Sequence, residues 1–337
     1  MTMGPGTFIA TASGTAFRLE DAALFGFAAL FALNMGGAGF TPSFSAALGA
    51  KLIHRVPAIL LFTLCVGIGA FLVGPHVAKT LGEGLVPAST IDRRTALIVI
   101  VSATGALFVA NAVKIPESTS WVTVFAFISV GLIRSNLNWH TIIYKLLPAW
   151  LTVPPIAFGL TLAIARSLYP LRGWNYRLYE HLSKHEWKLR ATVIASSAYL
   201  AAACGAHVAY IVAPLATAGV FDVKTGLLMF TPVFGAGGLV FYSTSKTVGT
   251  ELVPLGLYSA AIINVVVGSL LLFVYWLGIP QSLVHAQVCA VFAIALAKEG
   301  SYQLYRHRTV RRIFVFWVLS PMIASAFVVL LNVVVRA

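Results

Sequence analysis

Long apolar runs separated by short basic loops are the feature that most restricts the fold of this chain. Runs close to or above the roughly 20 residues that a membrane-spanning helix needs cover residues 57–74, 95–113, 141–164, 255–277 and 313–335. Charged residues make up only 10% of the 337-residue chain, whereas a soluble globular protein carries about 25%. The sequence therefore predicts an all-α polytopic membrane protein.

The two halves of the chain repeat one arrangement of segments. The sequence K-T-L-G-E-G-L-V-P begins at Lys79, and K-T-V-G-T-E-L-V-P begins at Lys246, 167 residues later. Residues 115–118 read I-P-E-S and residues 279–282 read I-P-Q-S, so a second similar pair follows in the same order. Self-similarity of this kind is typical of membrane proteins built from two repeats.

Each half is expected to hold about five transmembrane segments. They cover 21–50, 57–74, 95–113, 119–133 and 141–164 in the first half, and 190–219, 225–243, 255–277, 283–297 and 313–335 in the second. An odd number of crossings inserts the second copy upside down, so we predict two inverted-topology repeats. The chain then divides into an N-terminal tail (1–20), membrane repeat 1 (21–166), a linker (167–189) and membrane repeat 2 (190–337).

The basic residues indicate the orientation of the chain. The net charge is +13, but the positive residues lie in short loops, as the positive-inside rule describes, and do not suggest a nucleic-acid partner. Six of them lie in or next to the linker: Arg166, Arg172, Arg177, Lys184, Lys188 and Arg190. We predict a cytoplasmic linker and extracytoplasmic termini in a bacterial inner membrane. Aromatic residues in the linker favour an amphipathic helix on the lipid surface, and a solvated loop is the alternative.

Residues 31–49 interrupt good helix-forming sequence with glycines, hydroxyl residues and a proline. Backbone can unwind inside a bilayer only where protein or a water-filled cavity satisfies its polar groups. We therefore predict an interrupted helix and an internal site here, and a matching interruption within 190–219.

The short apolar segments 119–133 and 283–297 form a second matching pair. Each is about 15 residues long, which suits a re-entrant or tilted helix, and each follows a proline and hydroxyl residues. Proline and serine at a helix start are also ordinary capping residues. Their matching positions in the two halves nevertheless favour a central binding site.

Several of these sequences resemble the inorganic phosphate transporter (PiT) family. Residues 205–216, G-A-H-V-A-Y-I-V-A-P-L-A, resemble its GANDVANA-type motif, and residues 280–285, P-Q-S-L-V-H, resemble its P-V-S-T-T-H-type motif. Residues 116–121, P-E-S-T-S-W, take the same place in the first half. The similarity covers about residues 22–335. It implies a secondary transporter that binds a tetrahedral oxyanion between the repeats, and a homodimer.

The departures from the family pattern bear on the substrate. The motif Asp and Asn residues, which the resemblance expects to help hold sodium and substrate, are missing from both copies. The first copy instead reads N-M-G-G-A-G from Asn34, which looks like the CysP-type sulfate permease branch of the family. We expect the anion to bind among Asn34, Gly36, Gly37, Gly39, Thr41, Ser43, Ser118, Thr119, Ser120, Gly205, Ala206, His207, Gln281 and Ser282.

The missing carboxylate favours sulfate over phosphate. Sulfate is fully deprotonated at physiological pH and only accepts hydrogen bonds, so donors and helix N-termini suit it. Phosphate carries a proton that an Asp would accept. We predict sulfate import by proton symport, with Glu117, His207 and His285 as candidates for the proton-carrying group. Sodium-linked or passive transport, and phosphate as substrate, remain the alternatives. No cofactor or metal is expected.

An enzyme or a scaffold protein is the alternative of another class. An intramembrane enzyme needs a catalytic constellation, and the sequence contains no H-E-x-x-H and no G-x-S-x-G motif. A scaffold would not require two matching pairs of interrupted and short segments. Both alternatives therefore explain less of the sequence than transport does.

Overall fold

The computed structural model describes residues 9–10, 16–17, 19–112, 118–168, 186–240, 256–299 and 308–336, which are mostly helical. Two strands, β1 (Ile9–Ala10) and β2 (Ala16–Phe17), pair antiparallel before the first helix. The helices of the first half are α1 (Leu19–Gly49), α2 (Arg55–Lys79), α3 (Arg93–Ala112), α4 (Thr119–Ile133) and α5 (Leu147–Leu168). Those of the second half are α6 (Glu186–Cys204), α7 (Val208–Thr217), α8 (Val223–Val240), α9 (Leu257–Trp276), α10 (Leu283–Glu299) and α11 (Arg308–Arg336).

Five short helical turns accompany these helices in the described chain, including a 3-10 turn (Ala88–Thr90) and one α-helical turn (Trp139–Thr141). A 3-10 turn (Gly205–His207) joins α6 to α7. A π-helical turn (Thr80–Gly84) extends α2, and a second one (Ile142–Leu146) leads directly into α5. The segment order predicted from the sequence is confirmed, and α6 begins four residues before the predicted start of repeat 2. Most of the predicted linker, residues 169–185, and the repeat residue Lys246 lie outside the described residues.

The lengths and surfaces of the helices are those of a multi-pass membrane protein. Eight helical stretches of the described chain are long and apolar enough to cross a bilayer. The helices α4 and α10, with 15 and 17 residues, are shorter. Large apolar side chains such as Leu60, Leu64 and Leu151 are exposed on the outer faces. Exposing such an apolar surface to water costs free energy, whereas contact with lipid chains does not.

Helix packing in one half is mirrored by packing in the other. Helix α1 packs on α8, and α6 correspondingly packs on α2. Helix α5 packs on α10, while α11 packs on α4. The contact of α1 with α3 matches the contact of α6 with α9. The contact of α3 with α11 likewise matches the contact of α9 with α5. Most of the strong contacts therefore join elements of different halves, and neither half packs as a separate body.

Glycines make the two crossings between the halves close. A Cβ added to Gly36 of α1 would overlap the Phe234 carbonyl of α8, and one added to Gly69 of α2 would overlap the Ala202 carbonyl of α6. Gly237 and Gly205 supply the facing surfaces. Small residues at these positions allow backbones to touch, as is common where membrane helices cross.

The predicted interruption of the first half is wrong, because α1 runs unbroken from Leu19 to Gly49. Pro42 has no backbone N–H, but local hydroxyls satisfy nearby carbonyls: Thr41 donates to the Gly37 oxygen at 3.3 Å and Ser43 to the Gly39 oxygen at 2.9 Å. The glycines permit close packing and do not unwind the helix. The interruption predicted in the second half is confirmed at the 3-10 turn between α6 and α7.

Candidate functional site

The N-termini of the two short helices meet in the buried interior. Ser118 caps α4, where its Oγ accepts a hydrogen bond from the Trp121 backbone N–H at 3.2 Å. Ser282 takes the same position before α10 and accepts from the His285 N–H at 3.1 Å. The Ser120 hydroxyl donates to the Gln281 backbone oxygen at 2.6 Å and joins the two ends directly. Two partly positive helix ends therefore lie close together away from water.

The Gln281 carbonyl also connects these ends to the interrupted helix. It accepts a hydrogen bond from the Tyr275 hydroxyl at 2.8 Å, and the Tyr210 hydroxyl lies 3.5 Å away. The Tyr275 oxygen is 3.0 Å from Nε2 of His207, which lies in the 3-10 turn. The Tyr275 hydroxyl has one hydrogen, which it uses in the hydrogen bond to the Gln281 oxygen. In the bond with His207, Nε2–H is therefore the donor and the Tyr275 oxygen the acceptor. Hydrogen bonds thus connect His207, Tyr275 and Gln281, which lie at three different helix ends.

Several buried polar atoms at this place have no hydrogen-bond partner among the described residues. They are both side-chain amide atoms of Gln281, Nε2 of His285 and Nε1 of Trp121. Buried polar groups are nearly always paired, so a cluster of unpaired ones calls for a ligand or water. Gln281 is 0% exposed, and Trp121 and His285 occupy corresponding first-turn positions of α4 and α10.

The His285 ring lies between indole rings and faces no charge in the described structure. Trp121 of α4 meets it edge to face at 4.7 Å between ring centroids, and Trp317 of α11 lies at 3.9 Å. Trp150 of α5 is 5.1 Å from Trp121 and donates through its indole N–H to the Pro280 oxygen at 2.8 Å. These rings limit the motion of the loop before α10 and exclude water from one side of the site.

The buried polar side chains that the structure describes at the site include no carboxylate, lysine or arginine. Among the described side chains, those that are both buried and polar carry hydroxyl, amide or imidazole groups, and no carboxylate belongs to this set. No grouping of His, Cys, Asp and Glu in the described residues has a metal-binding arrangement. Hydroxyls, amides, an indole N–H and two helix N-termini offer mainly donors, which is the chemistry of an anion site.

The structure brings together only part of the predicted site. Ser118, Thr119, Ser120, His207, Gln281 and Ser282 belong to the elements that meet at the two helix ends, and Ala206 is buried in the adjoining turn. Gly36 and Gly205 instead form helix crossings, and Gly39 lies against Phe62 and Cys204. Asn34 is buried on α1. Glu117 lies outside the described residues.

Helix α1 is tied to the second half by side chains that the sequence did not single out. The Gln287 amide of α10 donates to the Pro42 backbone oxygen at 3.1 Å, and the Asn264 amide of α9 donates to the Ser43 backbone oxygen at 3.4 Å. Tyr210 and Tyr275 were also missed, since an aromatic residue in an apolar run is indistinguishable from ordinary core. Asn264 offered a usable signal, because an amide within an apolar run is expensive in a membrane.

Known proteins similar to this chain are transport proteins. The model of the phosphate transporter family matches residues 35–329. The sulfate permease CysP of Bacillus subtilis is 28% identical over 309 residues, which cover 90% of this chain and 85% of that protein. A putative phosphate permease of Pyrococcus furiosus is 22% identical and covers 82% of this chain and 86% of its own. The solved structure of a sodium-dependent phosphate transporter superposes with a TM-score of 0.74 at 18% identity, over 94% of this chain and 98% of that one.

Proposed function

The chain belongs to the phosphate transporter family, and on that premise we propose that it is a secondary transporter that imports inorganic sulfate or a related tetrahedral oxyanion. The observation that carries the proposal is the donor-rich set of buried groups, without a carboxylate among the described ones, where α4 and α10 begin. Ser120 joins the two helix ends, and the amide of Gln281 is buried there without a partner in the described structure. An oxyanion bound at this point accepts hydrogen bonds from the groups that lack partners.

The buried groups that the structure describes at the site include no carboxylate, which supports sulfate over phosphate; Glu117, next to Ser118, lies outside the described residues. At neutral pH inorganic phosphate carries one or two protons, and each P–OH group requires an acceptor, whereas the sulfate dianion requires only donors. The relative at 28% identity is named a sulfate permease, and the relatives at 21–22% are named putative phosphate permeases. A sodium- or proton-coupled phosphate transporter is the alternative.

The proposed binding site lies between two inverted repeats. Support comes from the matched packing of the halves and from the equivalent serine caps, Ser118 and Ser282. In the proposed topology the linker is cytoplasmic, both termini are extracytoplasmic and the membrane is a bacterial inner membrane. A homodimer remains an expectation from the family resemblance.

The substrate is tested by uptake into liposomes containing the purified protein. Labelled sulfate is expected to enter, unlabelled sulfate to compete, and a tenfold excess of phosphate to compete weakly. Thiosulfate and molybdate serve as further competitors. Uptake of phosphate under a sodium gradient, without entry of sulfate, would replace this proposal by the phosphate alternative.

We propose a proton as the coupling ion and His285 as the group that carries it. His285 lies in the first turn of α10, four residues after Gln281. Its Nε2 has no partner in the described structure, and the rings of Trp121 and Trp317 that face it are uncharged. His207 uses its Nε2 in the bond to Tyr275. Glu117 occupies the position of Gln281 in the first repeat and remains a candidate from sequence alone.

Replacing His285 by Gln is expected to abolish the stimulation of sulfate uptake by an inwardly directed proton gradient. Exchange of internal for external sulfate should continue, because exchange needs binding but no net proton movement. The measurement compares gradient-driven uptake with sulfate exchange in the same liposomes.

His140→Gln is the matched control, since His140 is exposed at the start of the segment leading to α5. This variant should keep its response to the gradient. A His285→Gln protein that still concentrates sulfate in response to the gradient would exclude His285, and loss of the response in His207→Gln alone would move the role to His207.

A further inference from the structure

Lys145 is a cation inside a segment long enough to span the membrane. It lies on the π-helical turn before α5, is half-buried, and donates from Nζ to the Thr80 hydroxyl at 3.0 Å. The ion pairs among the described side chains are Arg93 with Asp21 and Arg190 with Glu186, so Lys145 has no carboxylate partner in this part of the structure. An ammonium group has three donors, and the bond to Thr80 uses one.

A lysine ammonium group within a membrane segment costs free energy, so a lysine at such a position usually has a function. Charged residues within membrane segments are rare and usually mark the path of a substrate or ion. Lys145 also lies on the extracytoplasmic side in the proposed topology, where the positive-inside rule disfavours it. Arg93, on the same side, is compensated by Asp21 at 2.7 Å, whereas Lys145 is paired only with a hydroxyl.

The residues next to Lys145 contact the loop that carries Gln281 of the proposed sulfate site. Thr80 lies beside Gly278, where an added Cβ would be 3.1 Å from the Thr80 hydroxyl oxygen. Gly278 ends α9 with a φ of +68° and starts the loop that carries Gln281. Trp150, further along the same helical segment as Lys145, holds this loop at the Pro280 oxygen. The ammonium group and the free amide therefore flank one short loop.

The sequence repeat supports a role for this pair independently of the contacts. Thr80 is the second residue of the repeated K-T sequence, and the same offset of 167 residues leads to Thr247. Both halves thus retain a hydroxyl residue at the Thr80 position. Both Thr80 and Lys145 also lie on π-helical turns, which are frequent at functional sites.

We propose that Lys145 and Thr80 form a second anion site, at which the incoming inorganic dianion is held before it passes the α9–α10 loop to Gln281. The site rests on the proposed anion transport but not on the choice of sulfate. Lys145 offers its two remaining N–H donors to the anion, and Thr80 positions the ammonium group. While the anion is bound, its negative charge balances the ammonium group, as a carboxylate side chain would. A protein carboxylate would stay in place, whereas the anion can leave, which suits a site that must release its ligand.

The alternative is a lysine that merely extends its charge towards the membrane surface. The two roles differ in kinetics. A holding site raises the capture of anion from solution, so its loss raises KM and leaves the maximal rate nearly unchanged. A surface lysine affects neither quantity.

The experiment measures the concentration dependence of labelled sulfate uptake into cells that lack other sulfate transporters, at low and high ionic strength. Lys145→Gln should raise KM about threefold or more at low ionic strength, because attraction between a cation and a dianion is lost. The wild-type KM should rise with salt, whereas the KM of Lys145→Gln should not. Lys145→Arg should retain most of the effect, and Thr80→Val should produce part of the loss.

Lys79→Gln is the matched control, because Lys79 precedes Thr80 but is exposed. It should leave KM and its salt dependence unchanged. An unchanged KM in Lys145→Gln, or an equal rise in Lys79→Gln, would overturn the second site while sulfate transport itself stands. If the wild-type protein carries phosphate and no sulfate, the substrate assignment fails, and the same variants are then measured with phosphate.

Discussion

Gly36→Ala is expected to prevent most of the protein from folding, and Gly69→Ala should do the same at the equivalent crossing. The new Cβ would overlap a main-chain carbonyl of the facing helix, Phe234 in one case and Ala202 in the other. Main chain cannot rotate away as a side chain does, so the two helices must separate. Ordinary side-chain overpacking costs about 1–3 kcal/mol. Separating two main chains costs more, and the whole folding free energy is typically only about 5–15 kcal/mol.

Gly26→Ala is the matched control on the same helix. Nothing lies within 4 Å of the position of its added Cβ, and alanine is intrinsically a better helix former by about 1 kcal/mol. We therefore expect wild-type or higher yield and thermal stability for Gly26→Ala. Size-exclusion profiles and melting curves in detergent provide the measurement. Equal behaviour of Gly36→Ala and Gly26→Ala would contradict the close crossing of α1 and α8.

Replacement of Gln281 is expected to have the largest effect on anion binding. Gln281→Leu removes the amide donor, and a hydrogen bond to a charged group contributes about 1.5–3 kcal/mol, so affinity for sulfate should fall about ten- to a hundredfold. Gln281→Glu keeps the shape but adds a negative charge near the bound dianion. Two unit charges about 4 Å apart repel by about 4 kcal/mol at an effective dielectric constant near 20, and a dianion doubles this to about 8 kcal/mol, so binding should be lost.

Gln287→Leu distinguishes this effect from general damage to α10. Its amide already donates to the Pro42 oxygen, so its loss should reduce stability and leave sulfate affinity within about twofold. Binding of labelled sulfate to purified protein, measured with the size-exclusion profile of each variant, separates affinity from folding. Wild-type affinity in Gln281→Leu would remove this side chain from the proposed site.

The equivalent caps show how far local sequence reaches. Ser118 and Ser282 were identified because each follows a proline and precedes a short apolar segment, and both prove to be N-caps. The functional and the capping interpretations are therefore compatible: a cap orients the first turn, and the meeting of two first turns creates the donor-rich region. Capping depends on residues within one turn, so the sequence contains it.

The interpretation of residues 31–49 shows where local sequence is insufficient. Glycine, proline and hydroxyl residues indicated unwound backbone, but the same residues also allow a continuous helix to pack tightly, with Thr41 and Ser43 bonded to their own helix. Intrinsic propensity alone does not separate these cases, because a neighbouring helix outweighs it. The facing backbone of α8 makes the difference, and it lies about 200 residues away along the chain.

The sequence alone determined that this is a helical membrane protein, the order of its segments and the positions of its short helices. These follow from the length of apolar runs, since a bilayer requires about 20 residues per crossing and satisfied backbone along the whole crossing. Only the tertiary structure decided which polar groups meet. Ser120 and Gln281 are 161 residues apart, as are Ser43 and Cys204. Such contacts arise from helix packing between the halves. The hydropathy pattern of the sequence does not indicate which helices are neighbours or how close they lie.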